Sequence, residues 1–255
     1  GTGCCYTKAK CLSLMRFTLV AAGLVAILGG SALARTVASV VDQTTSFLIR
    51  DWVTDQRFDG FQPPQVFAIE QGTKVYGGCG EFVRGDEVGG SSYCPATNTI
   101  YLVPSQLNYF YKAFGPSSVA YVVAHEFGHA IQNRYGSLEG GAEVELQADC
   151  LAGILVDYGS TQLGITRQDT IQMAQAAYAI GDPTHGTGAQ RTYALLSGMG
   201  VVDAGCSKQE MLSLLNNQVS DPAYMELRAT RSGAGNIDIN KSPYPKTLGG
   251  ITNGL

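Results

Sequence analysis

Histidine is scarce in this chain, three in 255 residues, and no block of Lys or Arg interrupts the body of the sequence. Without such a block, and with a formal charge of −4, the chain carries no electrostatic footprint for nucleic acid, and nucleic-acid binding is set aside. Internal repeats are missing too, which leaves no basis for a stacked-repeat architecture. What remains is an ordinary globular composition, 45% hydrophobic. It suffices for one large domain with a buried core, or at most two small ones.

The first 34 residues stand apart. Lys8, Lys10 and Arg16 precede the apolar run FTLVAAGLVAILGG, which ends in Ala32-Leu33-Ala34. Basic, apolar and A-x-A segments in that order form the pattern of a secretory signal peptide, with cleavage expected before Arg35. An uncleaved membrane anchor is the alternative, because the run lies close to the lower limit of roughly 17 residues for a spanning helix. The chain does not begin with Met, and Met15 directly precedes Arg16, so translation is expected to start at Met15. Losing the leader removes three basic residues and no acidic ones, which takes the charge from −4 to −7.

Of seven cysteines, Cys4, Cys5 and Cys11 lie in the leader, leaving Cys79, Cys94, Cys150 and Cys206. An even number in an exported chain points to disulfides, with three pairings open and four free thiols as the alternative. The short loop between Cys79 and Cys94 makes that pair the natural first choice, and Cys150 with Cys206 the remainder.

After the leader, TVASVVDQTTSFLIRDWVTDQ reads as an amphipathic helix, with Val37, Val40, Val41, Leu48 and Trp52 near helical spacing, ended by Pro63-Pro64. Residues 65–104 change to short apolar runs, QVFAI and TIYLV, around a Gly/Ser-rich loop, which predicts a small β region. From Pro116 the chain reads as helical. Ser117 is the expected N-cap of a helix over 118–135 that Gly136 closes. Further helices are expected at about 143–158, 167–180 (with Thr166 and Asp169 spaced as a capping box), 188–199 and 207–217. Residues 230–255, rich in Gly, Pro and Asn, read as a flexible tail. The class is α+β: a leader over 1–34, a single domain over 35–229 and the tail.

Two of the three histidines sit four residues apart in AYVVAHEFGHAIQNRYG. On a helix, His125 and His129 project from one face and can offer two neutral imidazoles to one metal ion, while Glu126 reaches past the metal toward its bound water. Gly128 costs this helix about 1 kcal/mol relative to Ala, which points to another backbone close by. A catalytic zinc site needs a third protein ligand. Downstream, GAEVELQADCLAG places Glu145 and Asp149 four apart on the next expected helix. Glu145 is the expected third ligand, with Asp149 accepting a hydrogen bond from a ligand imidazole, and Asp149 is also the main competitor for the ligand position. Glu143 faces nearly the opposite way and Glu139 falls in the turn. The third histidine, His185, sits in DPTHGTGAQRTYALL just before a helix start, where it could donate to the oxyanion formed on a scissile carbonyl, with Arg191 a further cationic candidate.

With HEFGH, ELQADCLAG and HGTGAQR in view, and YCPATNTIYL ahead of them, the sequence resembles the bacterial neutral zinc metallopeptidase family over about residues 75–216. The leader, the first helix and the tail lie outside that likeness. The resemblance implies a zincin-like fold, with a small β-sheet beside the active-site helix and a mainly helical body after it. It implies one Zn2+ on His125, His129 and Glu145, with Glu126 as catalytic base. His185, Gly186, Gln190 and Arg191 match the family's HG-small-small-x-Q-R element, and the four cysteines outside the leader fall where it tends to carry them.

The expectation is therefore a secreted or membrane-tethered zinc endopeptidase acting on a peptide or protein substrate, with TIYLV either an edge strand that receives the substrate or an ordinary core strand. An exported interaction or scaffold protein with a structural zinc is the alternative from another class. The intact Glu126 argues against it, since a structural site takes four protein ligands and has no use for a base. A hydrolase of non-peptide amides is the other alternative.

Overall fold

The computed structural model describes residues 35–70, 74–77, 79–84, 90–233, 237–238, 244 and 246. The chain divides into residues 1–34, where the leader, the Met15 start and the three early cysteines lie outside the described residues, and one unit over 35–255. No described helix is long and apolar enough to cross a membrane.

The first helix, α1 (Val37–Thr54), starts at Thr36, whose side chain exchanges capping-box hydrogen bonds with Ser39. Its buried face, Val40, Thr44, Phe47, Leu48 and Trp52, repeats at helical spacing. Trp52 stacks on Phe58 at 4.2 Å and donates its indole N–H to the Phe61 carbonyl, which folds the following turn back onto the helix.

Five short strands follow: β1 (Gln65–Ala68), β2 (Lys74–Gly77), β3 (Gly80–Arg84), β4 (Ser92–Cys94) and β5 (Thr99–Leu102). β2 and β3 pair antiparallel, and the Cys79–Cys94 disulfide ties that hairpin to β4. The other three form a sheet in the order β1-β5-β4, with β1 parallel and β4 antiparallel to β5. TIYLV is thus the central strand and cannot receive a substrate by strand addition: both of its edges are taken. This overturns its reading as an edge strand, and β4 and β1 are the edges.

Helix α2 (Pro104–Phe114), which the sequence reading left out, leads directly from β5. α3 (Pro116–Tyr135) begins at Gly115-Pro116 rather than at Ser117, whose hydroxyl is buried. Pro at the first helical position needs no N–H partner, so it starts the helix without a side-chain cap. Gly136 closes α3 in the left-handed conformation, as expected. Then come α4 (Ala142–Tyr158), α5 (Ser160–Leu163), α6 (Asp169–Ala179), α7 (Gly188–Gly198), α8 (Lys208–Leu215) and α9 (Pro222–Thr230). Thr166 and Asp169 exchange the expected hydrogen bonds, yet α6 itself starts only at Asp169. The second cystine is Cys150–Cys206, joining α4 to the segment before α8. Of the expected tail, Ile237 packs against the core and the Tyr244 N–H donates to the Gly200 carbonyl; most of 234–255 lies outside the described residues.

α3, α4 and α7 form the centre of the core, each buried along most of its length. They lie close enough for backbones to touch. A Cβ on Gly198 of α7 would stand 1.8 Å from the Cys150 carbonyl oxygen of α4. Gly198→Ala is accordingly expected to lower stability by about 3 kcal/mol, read from urea unfolding, because neither backbone can yield without moving its helix.

Candidate metal centre

Helical periodicity places His125 and His129 on one face of α3, and α4 crosses that face with Glu145 toward them. His125 Nε2 lies 3.3 Å and His129 Nε2 3.5 Å from Glu145 Oε2, and one donor atom from each residue falls within 4.8 Å of the other two. Gly128 permits the crossing, since a Cβ there would come within 2.9 Å of the Ala148 carbonyl. The three residues line a cleft of about 640 Å³, whose lining also includes Glu126, Tyr93, Phe110, His185 and Arg191.

Asp149 stands behind His125, fully buried and outside the group of three converging donors. Its Oδ1 lies 2.8 Å from His125 Nδ1 and accepts from the Tyr121 hydroxyl at 2.6 Å, while Arg191 forks onto both oxygens at 2.8 and 2.9 Å. A carboxylate only accepts, so His125 carries a proton on Nδ1, which leaves Nε2 as the nitrogen it can offer to a metal. Arg191 thus holds Asp149 through Nε and one terminal nitrogen, while it also lines the cleft. On the other ring, His129 Nδ1 lies 2.8 Å from Gln132 Oε1.

The electrostatics favour a cation between the three donors. Burial by itself pushes a His125 imidazolium down, but the charge and hydrogen bond of Asp149, helped by Glu145, raise it to about 10. Burial also opposes ionisation of Glu145, yet hydrogen bonds from His125 and His129 hold it well below the usual carboxylate range. Glu126 behaves differently: burial raises it, only partly offset by the two imidazoles. Its Oε2 is buried and has no hydrogen-bond partner among the described residues. Such an oxygen costs about 1–3 kcal/mol of desolvation unless something else satisfies it.

His185 occupies the turn before α7, 47% exposed at its side chain, with Nδ1 2.7 Å from Asp182 Oδ2. Asp182 also accepts from the Thr184 hydroxyl and from the backbone N–H groups of Thr184 and His185; the Thr184 hydroxyl first, then His185 and the backbone groups, lower its pKa. With Nδ1 so engaged, Nε2 is the atom His185 can offer to the cleft. Glu143 accepts from the Gly141 N–H and takes no part in the donor set. Tyr121, Gln132 and Gln147 escaped the sequence reading. Tyr121 is one turn before His125 and Gln132 one turn after His129, so helical spacing alone could have flagged both.

Two imidazoles from H-E-x-x-H and a carboxylate from the next helix, N, N and O donors that converge within 4.8 Å of one another, define a site suited to one divalent ion such as zinc. Residues 30–141 match the family described as "Putative neutral zinc metallopeptidase". The match includes α1, which the sequence reading had left outside the likeness, and ends before Glu145, so that the third donor rests on geometry. An uncharacterized protein of Mycobacterium tuberculosis is 32% identical over 167 residues, covering 50% of this chain and 55% of that protein. The uncharacterized protein YpfJ of Escherichia coli is 31% identical over 170 residues, covering 51% of this chain and 56% of YpfJ. The chain thus spans about half the length of the curated relatives it matches. No solved structure matches it.

Proposed function

We propose that this protein is a zinc-dependent endopeptidase with a zincin-like arrangement, secreted or tethered to the membrane by its leader. The observation that carries the reading is the partnerless Oε2 of Glu126 beside an inward-facing N, N, O donor set. His125, His129 and Glu145 would hold the ion, which when bound supplies positive charge that polarises a carbonyl and makes water acidic near neutral pH. Glu126 accepts the proton of the attacking water and passes it to the leaving amine, a task its burial-raised pKa suits. His185, oriented by Asp182, donates from Nε2 to the developing oxyanion. Among the described residues β4 pairs only with β5, and residues 90–93 line the cleft, so an extended peptide would add to the outer edge of β4.

The test is hydrolysis by the zinc-loaded protein of an unstructured protein such as casein against cell-wall fragments. Cleavage of casein supports the endopeptidase; cleavage of the fragments alone reassigns the site to another amide; no cleavage of either favours a structural metal site. Stripping the ion with a chelator is expected to lower the Tm by roughly 10 °C, reversed by added zinc, since saturation at about 1,000 times Kd contributes about 4 kcal/mol.

A further inference from the structure

His129 is the terminus of a chain of buried amides that crosses from α3 through α4 to the segment before α8. Gln147 donates its amide N–H to the Cys206 carbonyl at 2.9 Å. Gln132 donates to Gln147 Oε1 at 2.9 Å and to the Val144 carbonyl at 2.8 Å, and its Oε1 meets His129 Nδ1 at 2.8 Å. Gln132 and Gln147 are both fully buried, so water cannot replace a lost partner.

The direction of this chain is forced. The Cys206 and Val144 carbonyls only accept, so each amide must turn its NH2 toward a carbonyl. Gln147 then presents its oxygen to Gln132, and Gln132 its oxygen to His129. His129 then carries a proton on Nδ1, which leaves Nε2, 3.5 Å from Glu145 Oε2, as the atom it can offer to a metal. The far end is fixed as well: Cys206 is bonded to Cys150 of α4, and Ser207, next in sequence, caps α8 through a reciprocal pair with Glu210.

We propose that Gln132 and Gln147 are positioning residues for the metal ligand His129, acting as a directional relay referenced to the Cys206 carbonyl. The inference rests on the reading of His125, His129 and Glu145 as a metal site. Because Gln147 acts only through Gln132, its effect cannot exceed that of Gln132.

The experiment measures zinc affinity by chelator competition, and the visible absorption of bound Co2+, for the unmutated protein, Gln132→Met, Gln147→Met and the double variant. Metal-free melting curves establish that each is folded. The expected result is a loss of affinity of about 10–100-fold for Gln132→Met, with shifted Co2+ bands as the imidazole turns. Gln147→Met should lose less, and the double variant should match Gln132→Met alone. Unchanged affinity in the folded single variants, or losses that multiply in the double variant, would overturn the relay. If Gln132→Met does not fold, Gln147→Met decides by itself: weakened affinity supports the relay and unchanged affinity removes it. Failure of the unmutated protein to bind either metal overturns the metal-site reading, and the relay with it.

Discussion

Replacing Glu126 with Gln is expected to leave zinc content unchanged while lowering hydrolysis by about 10²–10⁴-fold, the range a positioned general base contributes. Glu126 is not one of the three converging donors, so the ion should remain. What disappears is the capacity to take a proton from water, because an amide has no basic lone pair of comparable strength. Folding offers no alternative explanation for a loss. The carboxylate is buried with one oxygen unpartnered, and a neutral amide of the same shape relieves desolvation, so unfolding free energy should hold or rise. Zinc analysis, hydrolysis and urea unfolding on the same preparations separate the outcomes. Loss of zinc would mean that Glu126 is a ligand, and retained hydrolysis would dismiss it as the base.

Asp149→Asn is expected to cost about 3–5 kcal/mol of stability, the range for breaking a buried ion pair from one side. Asp149 accepts from Tyr121 and Arg191 and engages His125, with no exposure of its own; Arg191 is almost as deeply buried. The asparagine amide removes the charge that compensates the guanidinium and offers one acceptor oxygen in place of two. Metal affinity should fall as well, by about 10–100-fold, since the His125 tautomer is no longer dictated. The double change Asp149→Leu with Arg191→Met discriminates the two effects. It should recover much of the stability, because apolar replacement of a whole buried pair is often neutral, while the metal affinity stays low. Denaturant unfolding and chelator competition read the two quantities separately. Equal recovery of both would show that Asp149 contributes only to folding.

The donor set was legible because it depends on local periodicity. H-E-x-x-H and the Glu145–Asp149 spacing each fix a helix face, and once two helices are assumed, their faces have few ways to meet. Sheet order was not legible in the same way. Whether Thr99–Leu102 is central or at an edge depends on β1, more than 30 residues upstream, pairing parallel to it, and no pattern inside the strand encodes that. Helix α2 was passed over because only Leu107 and Phe110 of its residues are buried, too thin an apolar stripe after a run of strands. Ser117 misled for a chemical reason: serine is a common cap, but the Gly115-Pro116 pair before it starts the helix with no cap at all. Gln132 and Gln147 look like ordinary helix residues until a neighbouring helix supplies the carbonyls that give them direction.

The contact at Gly128 acts as a calliper. Where α3 and α4 rest backbone against backbone at Ala148, the gap between the helices is set by atoms that cannot change rotamer. Both jaws carry donors close to that contact: His129 is the next residue along α3, and Glu145 lies one turn before Ala148 on α4. The gap across which the three donors face one another is therefore gauged by the main chain, and the glycine in HEFGH is as much a part of that geometry as the histidines on either side of it.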